Sequence, residues 1–307
     1  MRIVYMGTPY FAVPSLETLI ANGFEPVCVV TGPDKQRGRG QAWSPTPIKE
    51  VADAHSIPVL QPESVKDPAF AAAVAQTDPD LIVVVAFRIL PPAVFTCARL
   101  GAFNLHGSLL PAFRGAAPIQ HALMAGVKKT GVTTFFLQEK VDTGNIILQK
   151  DLAVGPDETA GELHDRLMIL GAEAVLETVR LIQTGEVELK EQDDRLATPA
   201  PKISREDARI RWSADARQVH NQIRGLSPVP GAWTMHNGVL LKILRSRLAS
   251  DSTSRPSGSI VSADKRLEIA CRRGTILAEE IQREGKAKLS ASDFVNGYRI
   301  IAGDRLE

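Results

Sequence analysis

Asn104 and His106 stand two residues apart in FNLHGSLLPAFRGAAP, residues 103–118, a segment that otherwise reads as buried strand. Alternate side chains of an extended chain share a face, so Phe103 and Leu105 point one way while Asn104 and His106 point the other. An amide donor and an imidazole then occupy one small patch at a strand end. The acid that can join them is Asp142 in KVDTG, at the turn between two later strand-like runs. Such a trio suits acyl transfer to an amine. Asn104 would donate a hydrogen bond to the developing oxyanion, His106 held protonated by Asp142 would add positive charge, and the carboxylate would help relay the proton lost by the nucleophile. A second reading stays open, in which His106 is a strand-end histidine capped by Asn104 and Asp142 merely serves its turn.

Other chemistries lack their spacing. The turn after the first strand reads GTPYFA and not the G-x-G-x-x-G of a dinucleotide site. RGRG at 37–40 has neither the P-loop spacing nor its Lys-Ser/Thr ending, and HGSLL lacks the second glycine of a nucleophile elbow. The six histidines form no H-E-x-x-H and have no neighbouring Cys pair, so no metal is expected. Three widely separated cysteines, Cys28, Cys97 and Cys271, argue against a disulfide framework and suit a reducing compartment. With no apolar run of about 18 residues and no signal-like start, a cytoplasmic protein without a membrane partner is expected.

The elements that must position these residues follow from periodicity. RIVYM (2–6), PVCVV (26–30), IPVL (57–60), LIVVVAF (81–87) and FNLH (103–106) read as strands, with helical spacing over 14–22, near 47–55 and near 68–76. Continuous Val and Ile runs separated by helices predict an α/β fold with a parallel sheet covered on both faces. Pro118 suits the first turn of a helix running to Gly126. GVTTFFLQ and GNIILQKDLAV, joined by VDTG, predict antiparallel pairing at one edge, and a long helix is expected from about Thr159 to Thr184.

A polar stretch with two prolines marks a linker near 190–208, which divides the chain into 1–189 and 209–307. Beyond a helix at 214–224, the short strands AWTMH, VLLKILRSRL, GSIVSA and LEIACRRGTILAEEIQ suggest a small barrel. The charge is uneven, for residues 205–307 carry 18 Lys and Arg against 12 Asp and Glu, while the first 204 carry 18 against 23. That asymmetry hints at an anionic partner for the C-terminal part, with plain solvation as the alternative.

MRIVYMGTPYFAVPSLETL, SPTPIKEVADAHSIPVLQP, FNLHGSLLPAFRGAAPIQHAL, VDTG, GLSPVPGAW (225–233) and DFVNGYRI (293–300) together resemble the methionyl-tRNA formyltransferase family of 10-formyltetrahydrofolate-dependent enzymes. The likeness covers most of the chain. It implies a Rossmann-like formyltransferase domain followed by a smaller OB-like barrel that binds tRNA. The implied reaction moves a formyl group from 10-formyltetrahydrofolate to the α-amino group of methionyl initiator tRNA, by a monomer. The family's catalytic set falls on Asn104, His106 and Asp142, and its folate-contacting stretch on Ser108, Leu109, Leu110 and Pro111.

The loop TGPDKQRGRGQAWSPTP (31–47) is long for a strand-to-helix connection. The resemblance implies that its basic residues Lys35, Arg37 and Arg39 meet the acceptor end of the tRNA, with Arg39 as the matching reader; a plain surface excursion is the alternative. In the barrel, Arg245, Arg247, Arg272 and Arg273 fall in or beside expected strands and would supply phosphate contacts. Two segments depart from the family pattern. AFRILP (86–91) is one residue shorter and lacks a glycine, and Lys140-Val141 replace Gly-Leu before Asp142. Neighbouring functions also stay open at this point: formylation of a UDP-linked amino sugar, formyl-folate hydrolysis, or RNA binding on an inactive scaffold.

Overall fold

The computed structural model describes residues 1–37 and 42–307. Its first half runs β1 (Ile3–Gly7), α1 (Val13–Ala21), β2 (Cys28–Val30), β3 (Lys35–Arg37), β4 (Ala42–Ser44), α2 (Pro47–Ala54), β5 (Val59–Leu60), α3 (Pro68–Gln76), β6 (Leu81–Val85), α4 (Pro92–Phe95) and β7 (Ala102–His106). Then follow α5 (Pro118–Met124), β8 (Lys129–Phe136), β9 (Ile146–Ala153) and α6 (Ala160–Thr184). The rest comprises α7 (Ala216–Leu226), β10 (Ala232–His236), β11 (Val239–Ser250), β12 (Ile260–Ala263), β13 (Leu267–Ala270), β14 (Thr275–Arg283), β15 (Lys288–Ser290) and α8 (Ala291–Gly297). Two compact units emerge. One holds Met1–Gly115, Gly131–Leu152 and His164–Pro199; the other holds Ala116–Thr130, Ala153–Leu163 and Ala200–Glu307.

The first unit is built on a seven-stranded sheet of order β5-β2-β1-β6-β7-β8-β9. Pairing is parallel from β5 through β7 and turns antiparallel between β7 and β8. The central strands β1 and β6 are buried along their whole length, as their unbroken apolar sequences require. Local chemistry starts the helices. Thr46 accepts from the Lys49 N–H ahead of α2 and Asp67 from the Ala69 N–H ahead of α3, each followed by a proline in the first turn. Helix α6 lies close against β7, since a Cβ on Gly171 would fall 2.6 Å from Leu105 Cδ2. The Thr134 and Thr178 hydroxyls, 2.7 Å apart, tie the same helix to β8.

Within the long loop, Lys35–Arg37 pairs antiparallel with Ala42–Ser44, a pairing that the sequence pattern does not announce because each strand is only three residues long. The three cysteines are free; burial pushes the Cys28 thiol up to about 11 and that of Cys271 up to about 12, which leaves both as inert core groups.

The second unit is an antiparallel sheet of order β10-β11-β14-β13-β12, with β15 on β14. Register shifts along β11 and β14 bend it. The C-terminal residues join its two edges: Glu307 exchanges backbone bonds with Met235 of β10, while Asp304 and Leu306 bond Ile260 and Gly258 at β12. The sheet therefore closes as a small barrel around Ile243, Ile269, Ile276, Ile281 and Phe294. Strand β15 and helix α8 add to the elements expected from sequence; the helix is set by Ser290, whose hydroxyl accepts from the Asp293 N–H.

His220 of α7 is buried in this unit, with Nε2 donating to the Pro156 carbonyl and Nδ1 meeting the Ser246 hydroxyl. Burial, first among its causes, holds this imidazole below its ordinary value. The unfolded chain then binds a proton that the folded one refuses, so the contribution is present above an unfolded value of about 6.5 and is lost as pH falls from there through the folded value. Urea unfolding of the parent is expected to show a falling midpoint between pH 7.5 and lower pH, and His220→Gln should flatten that fall. An unchanged slope in the variant would remove His220 as its source.

Candidate functional site

Strand β7 is held between β6 and β8, with Asn104 opposite Val84 and Phe135 and His106 opposite Thr133. Phe103 and Leu105 are buried. The pleat thus sends Asn104 and His106 to a common side, as their spacing predicts. Asn104 is half-buried and its amide makes no hydrogen bond to any described residue, so its donor is available to a ligand.

His106 is only 6% exposed and has two neighbours. Its Nε2 lies 2.8 Å from the carbonyl of Phe113. A carbonyl only accepts, which assigns the proton to Nε2 and leaves Nδ1 facing Asp142 Oδ2 at 3.8 Å. When the imidazole is protonated, Nδ1–H points its charge at that carboxylate. Asp142 Oδ2 also accepts from the Gly115 N–H at 2.9 Å. The structure therefore brings together His106 at the end of β7 and Asp142 in the β8–β9 turn, 36 positions apart in the sequence.

The Asp142 turn dispenses with the glycine at 140 by placing Asp142 itself at φ +55. Gly144 makes the close return: a Cβ there would fall 1.7 Å from the Phe136 carbonyl oxygen. In the other departing segment, Ala86 takes φ +47, and the Arg88 guanidinium fastens the stretch by donating to the carbonyls of Pro62 and Glu63.

Residues 108–111 form a turn held by buried hydroxyls. Ser108 donates to the Ala112 carbonyl at 2.6 Å, and Leu110–Pro111 is a cis peptide. Thr133 Oγ1 donates to the Ser108 carbonyl and accepts from the Leu110 N–H and from Gln149 Nε2, which also reaches the Leu110 carbonyl. Ser108 and Leu110 are buried, whereas Leu109 and Pro111 are partly exposed.

Nothing in the sequence singles out Gln192, yet it touches the site. It is buried, accepts from Arg114 Nε and Nη2 through Oε1, and donates to the carbonyls of Asp142 and Gly144. Thr198 Oγ1 accepts from the Phe113 N–H. Both residues lie in a polar stretch whose composition marks it only as irregular chain; no local pattern identifies partners this distant.

Lys35 is exposed on β3, Arg37 ends that strand, and Arg39 lies outside the described residues. Asp34, the acid of this loop, is occupied: Lys49 at 2.9 Å and Gln61 at 2.7 Å bind it, and Lys49 holds its carboxyl below the usual carboxylate range. Trp43, paired with Gln36 across β3 and β4, is 71% exposed.

In the barrel unit, three of the four arginines expected to present free charge are instead ion-paired. Arg245 meets Glu162, Arg247 meets Glu279 at 2.8 Å, and Arg272 meets Asp215 at 3.0 Å. Cations with no carboxylate partner among the described residues gather elsewhere in that unit. Arg205 and Arg209 lie 5.8 and 5.5 Å from the centre of the Trp233 ring, next to a cavity of about 500 Å³ lined also by Lys242 and Arg283. Among the described residues no cluster of three or more His, Cys, Asp or Glu is arranged to hold a metal ion, and no helix is long and apolar enough to cross a membrane.

Removing the Thr133 hydroxyl strands the Leu110 N–H and the Ser108 carbonyl, so Thr133→Val is expected to cost about 1–3 kcal/mol in urea unfolding. Amide exchange at Leu110 should quicken with it. Parental stability together with parental exchange would show that the turn is held by other bonds.

Residues 1–179 match the family described as formyl transferase, and residues 202–299 match its C-terminal domain. The chain is 53% identical over 305 residues to a methionyl-tRNA formyltransferase of Chlorobium luteolum, covering 97% of each. A second, from Chlorobium phaeovibrioides, is 49% identical over 99% of this chain and 97% of its own. Among solved structures, WlaRD, a sugar 3N-formyl transferase crystallised in the presence of dTDP and 5-N-formyl-THF, shares the fold at a TM-score of 0.70 and 19% identity, over 94% of this chain and 99% of that one.

Proposed function

This chain belongs to the formyltransferase family, and from that premise we propose how its residues carry out the reaction. Its function is transfer of a formyl group to the α-amino group of methionyl initiator tRNA. Identity near one-half, over nearly the whole length of methionyl-tRNA formyltransferases, is the observation that carries this. The donor is a folate; our reading takes it to be 10-formyltetrahydrofolate, contacted along Ser108, Leu109, Leu110 and Pro111, with no metal.

The amine attacks the formyl carbon, a C–N bond forms, and charge develops on the formyl oxygen. The free amide of Asn104 donates to that oxygen, and His106, charged beside Asp142, adds a second electrostatic contribution. The Asp142 carboxylate takes the proton that the attacking nitrogen loses, and the donor nitrogen takes one as its bond to the formyl carbon breaks. An α-amino group with a pKa near 7.7–8.0 is largely competent at neutral pH, so positioning and oxyanion stabilisation outweigh strong base catalysis.

The same reading assigns catalysis to 1–189 and tRNA binding to 209–307, joined through 190–208, in a monomeric cytoplasmic enzyme. Lys35, Arg37 and Arg39 meet the acceptor end, with Arg39 as the discriminating residue. The unpaired cations Arg205, Arg209, Lys242 and Arg283, in place of the ion-paired Arg245, Arg247 and Arg272, supply contacts to the tRNA backbone.

Labelled 10-formyltetrahydrofolate, offered with charged initiator tRNA, a UDP-linked amino sugar or water alone, should pass its label to the tRNA; transfer to the sugar or to water would overturn the assignment. In that assay His106→Ala and Asn104→Ala are each expected to lower kcat by about 10²- to 10³-fold, the usual consequence of losing one oxyanion donor, and Asp142→Asn to lower it non-additively with His106→Ala. A His106→Ala enzyme with most of its turnover would end this assignment.

Binding through phosphates predicts a shared effect on all tRNAs. Arg205→Ala and Arg283→Ala should each weaken binding of initiator and elongator tRNA alike, and flatten the slope of log K against log salt by about 0.7–0.9 for each phosphate no longer neutralised. Unaltered slopes, seen alongside altered slopes for Arg247→Ala, would return the role to the strand arginines.

A further inference from the structure

Both partners of His106 sit on residues with unfavourable backbone. Asp142 is at φ +55 and Phe113 at φ +61, a left-handed region that side-chain-bearing residues rarely adopt, aspartate more readily than phenylalanine. Such conformations persist when something outside the turn holds them. The stretch 190–199 does so at both places. It enters beside β9, where Lys190 exchanges backbone bonds with Ile146. Gln192 then donates to the Asp142 carbonyl at 3.0 Å and to the Gly144 carbonyl at 2.8 Å, while its Oε1 takes Arg114 Nε and Nη2 at 3.1 and 2.8 Å. Arg114 follows Phe113 directly, so one buried amide links the turn on the Nδ1 side of His106 to the chain that forms its Nε2 side. Farther along, Thr198 Oγ1 accepts from the Phe113 N–H at 2.8 Å, and the Thr198 carbonyl from the Arg114 N–H at 2.9 Å.

We propose that Gln192 and Thr198 are positioning residues for the formyl transfer, fixing the Asp142 carboxylate and the Phe113 carbonyl on opposite sides of the His106 ring. This rests on the reading in which His106 and Asp142 carry the chemistry. All four donor and acceptor positions of the Gln192 amide are used, two on the Asp142 turn and two on Arg114. Glutamate at this position keeps the acceptor for Arg114 and loses the donors to the turn, whereas alanine loses both halves. Gln192 touches none of the reacting groups; its effect passes through Asp142.

The test measures kcat and the KM for each substrate in the full-length enzyme for Gln192→Ala, Gln192→Glu, Thr198→Val, Asp142→Asn and the pair Gln192→Ala/Asp142→Asn, with thermal unfolding recorded for each. Misplacing a catalytic group by about 1 Å can cost about 10²-fold, so kcat should fall by roughly 10- to 100-fold in Gln192→Ala and in Gln192→Glu, with both KM values within about twofold of the parent. Thr198→Val, which leaves the Gln192 clamp intact, should give a smaller loss of kcat, again with unchanged KM. In the Asp142→Asn background, Gln192→Ala should cost little more, because the group it positions is already gone. A folded Gln192→Glu with parental kcat would show that only the anchoring of Arg114 matters and would overturn the proposal. So would an undiminished Gln192→Ala loss on top of Asp142→Asn. Should Asp142→Asn by itself keep parental kcat, the failure lies in the underlying catalytic reading, and it is visible without any Gln192 variant.

Discussion

The imidazole of His106 has two fixed commitments, a backbone carbonyl at Nε2 and a carboxylate facing Nδ1, and the rest of the first unit is arranged so that both can be met. A ring committed at one nitrogen to a pure acceptor has its tautomer decided. The carboxylate of Asp142 then faces the remaining nitrogen at 3.8 Å. Neither partner comes from β7. The carbonyl is supplied by the turn after the strand, and the carboxylate by an antiparallel excursion that leaves and rejoins the sheet edge. Antiparallel β8 passes His106 at Thr133 and leaves the sheet opposite Phe103, so it is the turn after β8, and not the strand, that carries Asp142 back to the imidazole.

Much of this framework is legible in the sequence, and the reason is burial. Runs such as IVYMG and LIVVV carry no alternation because both their faces are covered, and helices between them announce themselves by Thr or Asp followed by Pro. The pairing of Asn104 with His106 is legible for the simpler reason that a strand has period two. What escapes is whatever depends on distant backbone. Gln192 bonds residues 48 to 78 positions away, and Thr133 bonds a turn 23 to 25 positions before it; no window of local periodicity contains both ends. The β3–β4 pairing escapes because its strands are three residues each, too short for a period to show.

Charge shows the same division between what composition fixes and what geometry decides. An excess of basic residues beyond position 204 is a property of the sequence, but its availability is not. Arg245, Arg247 and Arg272 lie in or beside strands as expected, yet each finds a carboxylate, whereas Arg205 and Arg209 are held over an indole that cannot neutralise them. Exposed ion pairs contribute little stability, so their consequence here is chiefly to subtract charge from the surface offered to a polyanion. A cation placed against an aromatic face keeps its charge while losing rotamer freedom, which lowers the entropic cost of ordering it on a phosphate.

Strain and buried polarity near the site are two sides of one design. A left-handed backbone costs about 1–2 kcal/mol at Phe113 and less at Asp142, since aspartate enters that region more readily. They are held by a network in which nearly every buried polar atom has a partner: Ser108, Thr133, Gln149, Arg114 and Gln192 are all bonded, and only Ser15 Oγ and Arg283 Nε are left without one among the described buried side-chain atoms. Such a network is costly to build and, once satisfied, stiff. Stiffness is what this reaction asks of the protein. An amine that is already nucleophilic at neutral pH gains little from a stronger base but much from an oxyanion site that does not have to reorganise as charge appears. In the proposed mechanism the amide of Asn104 meets that demand, since β7 is pinned by β6, β8 and α6 and this amide bonds to none of the described residues.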